Sequence, residues 1–121
     1  MAAGSLIAVN ATRAVPLTHS ARVAKTMRAR MVGLLRDAKL EEGDGLWIVP
    51  CNSIHSFGMR FVFDAIFLDK KLRVVRLYSA MKPWRMSAIV FGAHSVLELP
   101  AGTITQSGTQ TGDQFEMGEV K

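Results

Sequence analysis

A chain of 121 residues, 49% hydrophobic and 21% charged, is large enough to bury one core without disulfide or metal staples, which sets aside a disordered chain and a disulfide scaffold. Its net charge of +5 falls in blocks, +6 over residues 1–40, −4 over 41–69, +6 over 70–97 and −3 over 98–121, so basicity alone does not define a nucleic-acid surface. The single cysteine, Cys51, excludes an intrachain disulfide, and no stretch approaches the roughly 18 apolar residues of a spanning helix.

In chain order, the opening "MAAGSLIAVNATRAV" lacks the early charge and unbroken apolar run of a signal peptide, so a cytoplasmic protein with no membrane partner is expected. Short apolar runs at Leu6–Val9 and Ala14–Leu17 read as two strands joined around Asn10–Arg13, with Pro16 placing the second at an edge. From Thr26, a suitable N-cap, the apolar positions Met27, Met31, Leu34 and Leu35 follow helical spacing, predicting one principal helix over about residues 26–37. "EEGDG" is then a loop and "LWIV" a short strand before Pro50.

"RFVFDAIFLD", residues 60–69, has the composition of a buried strand. On its pleat Val62, Asp64, Ile66 and Leu68 share one face, and Phe61, Phe63, Ala65 and Phe67 the other. A turn at Asp69–Lys71 leads to an antiparallel partner, "RVVRLY", and Ser79–Gly92 reads as a long loop. "SVLELPAG" and "TGDQFEM" supply the last strands. The order predicts a single α+β domain over residues 1–121, with its core at about 5–117 and loose termini. Its architecture is a compact, mostly antiparallel, β-barrel-like sheet with that one helix. No glycine-rich phosphate loop follows any strand.

Four ordered motifs, "RARMVGLLRD", "GLWIVPCNSIHSFGMRFVFDAIFLD", "VLELPAG" and a late "GD", resemble domain-of-unknown-function family 192, a widespread prokaryotic family, over about Val23 to Phe115. Many members carry a "FWMKNTLIPLDVIFLD" strand, to which Phe57, Met59, Arg60, Asp64 and Leu68–Asp69 correspond. Gly58 replaces the common Trp, and a Cys-x-x-x-His precedes it, as in a subgroup with "PC-SIHTFGM". The resemblance implies a small β-rich barrel with one helix and brings no established activity.

The candidate site residues divide by chemistry. Cys51 and His55, four apart, could form an activated thiol, or equally a small buried hydrophobe beside a hydrogen-bonded histidine. His19 and His94 lack ligand spacing, so no metal site and no cofactor is expected. Asp64 must be met by a cation or by backbone donors if it is buried, and Glu98 repeats the pattern on another apolar strand. Asp113 reads as a turn residue, and Trp84 in "MKPWR" as an anchor pinning its loop to the barrel. These residues favour a binding domain for a small anionic ligand or a protein segment, lined by Gly58, Met59, Arg60 and Asp64, with the Arg60 guanidinium as anchor. The alternatives are a hydrolase-like enzyme using Cys51/His55 or Asp64/Glu98 as acid and base, and weak nucleic-acid binding through the basic blocks.

Overall fold

The computed structural model describes residues 5–24, 40–56 and 61–120. The predicted helix over 26–37 lies outside them, as do Gly58, Met59 and Arg60. Among the described residues the strands are β1 (Ser5–Asn10), β2 (Val15–Pro16), β3 (Ser20–Ala24), β4 (Asp44–Ile48), β5 (Phe63–Leu68), β6 (Val74–Met81), β7 (Ser95–Pro100) and β8 (Phe115–Val120); a short helix, α1 (Thr103–Ser107), falls between the last two.

The strands form one curled sheet in the order β2-β1-β3-β4-β7-β5-β6, with β8 added to β1. Every pairing is antiparallel except β3 with β4, where Ser20 to Ala24 run beside Asp44 to Ile48 in the same direction. A parallel pair needs a connection of a dozen or more residues, and the sequence separates Ala24 from Asp44 by more than that. β6 and β8 form no ladder with each other; the residues just before them are joined by an isolated bridge between Arg73 and Gln114 and by backbone bonds such as Val74 N–H to Asp113 O, at 2.9 Å, which leaves a half-barrel. The barrel-like α+β expectation is therefore met by a mixed sheet. β3 escaped the sequence reading because "SARVA" is short and carries an exposed Arg22 and Val23.

β5 lies between β7 and β6, with all six residues buried. Phe63, Ala65 and Phe67 join Leu46, Ile48 and Val96 in one cluster, whereas Ile66 and Leu68 pack with Leu97, Leu99 and Phe115 in the other. A strand covered on both faces reads as a continuous apolar run, which is how "FVFDAIFLD" reads.

β6 runs three residues beyond the predicted "RVVRLY" because it contains a bulge. Phe63 pairs with Met81 and Ala65 with Tyr78, so the single residue Asp64 opposes both Ser79 and Ala80. Ala80 takes φ 52°, and the bulge bends the strand over the sheet. Its N–H is diverted from the ladder to Asp64 Oδ1, at 2.8 Å.

Candidate functional site

Asp64 is 1% exposed, and both its oxygens are engaged by backbone. Besides Ala80, Gly102 and Ile104 donate their N–H groups to Oδ2, at 3.1 and 2.9 Å. Gly102 precedes α1 with φ 97° and offers no capping side chain, so the β5 carboxylate caps the helix from across the fold. This solves the burial problem posed by an acid among Ile66 and Leu68: three donors replace its water. α1 itself was missed, since "TITQS" is too short for a helical period and its cap lies about forty residues upstream in sequence.

Glu98 is fully buried. It stands opposite Ala65 and Leu46, while Asp64 stands opposite Leu99. Directly opposed residues share a face, so Glu98 projects toward the Ala65 side and Asp64 toward the Leu99 side. The fold does not bring these two carboxylates together.

Asp113 does more than shape a turn. Its carboxylate accepts from Arg13 Nε at 2.6 Å, Asn10 Nδ2 at 2.9 Å and the Gln110 N–H at 2.9 Å. Burial pushes this carboxyl up, but the bonds from Arg13, Asn10 and Gln110, with the guanidinium charge, outweigh it and bring the pKa down to about 2. The cluster fastens the β1–β2 turn to the turn before β8. Its members are about a hundred residues apart, and no local pattern announces it.

The remaining candidates lie on a layer of loop across the Phe63–Phe67 face. Residues 51–56 run beside 82–94: Val90 N–H donates to Asn52 O, Ser87 N–H to Ile54 O and Ser56 N–H to Arg85 O, each at 2.8 Å. Cys51 is half-buried; its N–H donates to His94 O at 2.8 Å and its thiol to Ser53 O at 3.0 Å. Cys51 and His94 line a shallow cleft of about 350 Å³ with Pro50, Asn52 and Ala93. The His55 backbone forms an isolated antiparallel bridge with Met86. Among the described residues no group of three or more His, Cys, Asp or Glu is placed to hold a metal ion.

Ser56 organises the outer edge of this layer. Its hydroxyl donates to Lys82 O at 2.6 Å and accepts the Arg85 N–H at 2.8 Å, while its carbonyl accepts the Trp84 N–H at 3.1 Å. The clamped turn holds Trp84 at φ 62°, a left-handed conformation that bulky residues rarely adopt. Ile54 and Val90 point inward into the core cluster. Outward stand Trp84, Met86, Ile89 and Phe91, exposed by 66%, 70%, 61% and 92%. Trp84 is therefore mostly exposed rather than buried as a core anchor, and Ile54, Val90 and Ser56 seat the loop on the barrel.

Basic groups border this apolar ridge. Lys82 and Arg85 are exposed on the turn itself. The Arg76 guanidinium lies 5.1 Å from the Tyr78 ring centroid, and the Tyr78 hydroxyl accepts the Ala88 N–H at 3.4 Å, which brings a third cation beside the loop. Residues 70–97 contain six Lys and Arg and no carboxylate.

A half-barrel carrying a clamped, outward-facing loop layer is the kind of protein the fold and site define. The chain belongs to domain-of-unknown-function family 192, described as "Uncharacterized ACR", whose model matches residues 8–117. A UPF0127 protein of Thermococcus sibiricus is 31% identical over 113 residues, covering 89% of this chain and 72% of that protein. One of Pyrococcus horikoshii is 29% identical over 113 residues, covering 89% and 96%. Two crystal structures share the fold. A protein of unknown function from Novosphingobium aromaticivorans has a TM-score of 0.74 at 18% identity, over 92% of this chain and 82% of that one. A Sinorhizobium meliloti protein, provisionally labelled a transcription regulator, has a TM-score of 0.76 at 17% identity, over 97% of each chain. The family assignment carries no activity with it. Among the described residues, no helix is long and apolar enough to cross a membrane.

Proposed function

We propose that this protein is a binding domain for an anionic partner, and that it works through its loop layer rather than through chemistry inside the sheet. The observation that carries this reading is the clamped turn, which spends backbone strain to hold an aromatic side chain in water beside Lys82 and Arg85. Backbone strain of this kind gathers where a side chain is presented to a ligand. The interior supports the same reading: Asp64 is occupied by three backbone donors and faces away from Glu98.

Arg60 is the proposed anchor. It belongs to the stretch that leads from the Ser56 clamp into β5, and a guanidinium meets a carboxylate or phosphate with two parallel hydrogen bonds. Amide shift mapping tests the reading with a panel of anions: inorganic phosphate, a polyglutamate peptide, a single-stranded oligonucleotide and anionic vesicles. At least one class is expected to perturb residues 50–56 and 82–94, and Arg60→Ala is expected to weaken that response without unfolding the chain. Perturbations confined to other surfaces, or none with any class, would sink the reading.

A further inference from the structure

We propose that Trp84, Met86, Ile89 and Phe91, bordered by Arg76, Lys82 and Arg85, form an insertion surface for an anionic lipid bilayer. This rests on the binding reading and names its partner.

Scattered exposed hydrophobes are ordinary on a soluble domain, but four large ones within eight residues of one loop are not. Their chemistry narrows the partner. A nucleic acid would use flat rings for stacking, and here two of the four, Met86 and Ile89, have none. A folded protein would need a concave surface matched to four protruding side chains. Lipid accepts protruding apolar groups of any shape, and Trp is favoured where hydrocarbon meets headgroups.

Charge points the same way. The nearby cations would sit at headgroup depth when the apolar tips enter, and a juxtamembrane basic cluster is attracted to anionic leaflets. The loop layer is also preformed: Ser56 fixes the turn, and Ile54 and Val90 seat it on the core. Insertion then requires little further ordering of the backbone. The sequence expectation of no membrane partner rests on the lack of a spanning segment, which a surface-inserting loop does not need.

Vesicle co-sedimentation of the full chain is the direct experiment, using phosphatidylcholine with and without one phosphatidylserine in four, at about 0.1 M salt. Binding to the anionic vesicles is expected, with a blue shift of Trp emission and quenching by brominated acyl chains. Phe91→Ser is expected to weaken binding about tenfold or more through lost apolar burial. Lys82→Glu with Arg85→Glu should remove the preference for anionic lipid. Absence of binding to anionic vesicles, or binding that Phe91→Ser leaves intact, overturns the proposal. If vesicles fail while the polyglutamate peptide or the oligonucleotide perturbs the same loop, the lipid assignment falls and the binding reading stands; if all fail, both fall.

Discussion

The surroundings of Asp64 and the loop at 82–94 break the ordinary rule of burial in opposite senses. Around Asp64 a charge sits inside the fold, and on the loop at 82–94 large apolar side chains sit outside it. The interior exception is fully compensated, with three backbone N–H groups bonded to one carboxylate that ties a strand bulge to a helix start. The surface exception is left facing solvent: Phe91 is 92% exposed. A compensated exception explains itself as architecture. One that faces solvent and is held in place by the Ser56 clamp asks for a partner.

The sharpest way to break this contrast is to remove the interior charge. Asp64→Ala would remove the acceptor of the Ala80, Gly102 and Ile104 N–H groups, of which the Ile104 bond is buried, at a cost of about 2–3 kcal/mol. Urea unfolding should show it as a lowered midpoint, with Asp64→Asn intermediate because one oxygen acceptor survives. A variant as stable as the parent would mean that water or rearranged backbone replaces the carboxylate, and Asp64 would return to the list of candidate ligand groups.

Why the sequence announced one half of this contrast and not the other follows from range. Periodicity is local, so the central strand, its turn at Asp69–Lys71 and the apolar faces of β5 and β7 were legible from "RFVFDAIFLD" and "SVLELPAG". The need to satisfy Asp64 was legible as well, but its donors come from Ala80 and from residues 102 and 104, and no spacing rule links them. The opposite orientation of Asp64 and Glu98 required the strand register, which the parity of each strand alone does not supply. Trp84 failed for a different reason. An indole in a loop reads as an anchor, and neither the left-handed backbone at that residue nor its exposure is written in a local pattern.

The Asp113 cluster gives a second, smaller test on the interior side. Its folded pKa of about 2 lies below the ordinary carboxylate value of 3.8, so the native state binds this proton less readily than the unfolded chain. The sign follows: its contribution is fully present above the unfolded value and is lost as pH falls from about 4 through about 2. Arg13→Met, which removes the 2.6 Å ion pair, is expected to cost about 1–2 kcal/mol at neutral pH and to flatten the loss in that acid window. Unfolding free energies measured across the acid range for both proteins check it. Identical pH profiles would show that Asn10 and the Gln110 N–H hold the carboxylate without help from the guanidinium.

The smallest effect probes the surface side, and it separates backbone cost from side-chain worth at a single residue. At φ 62° a β-carbon is strained against its own carbonyl, whatever side chain it carries. Trp84→Gly and Trp84→Ala both delete the indole, but only glycine relieves that strain. Glycine should therefore be the more stable of the two by about 1 kcal/mol, even though it adds freedom to the unfolded chain. If the ring is held out for a partner, both variants fold and both lose the partner, so stability and binding move independently. If alanine proves as stable as glycine, the turn is not strained in solution, and the case for a preformed insertion loop would rest on the exposed side chains alone. Thermal unfolding of the three proteins, run beside their vesicle binding, decides which of these holds.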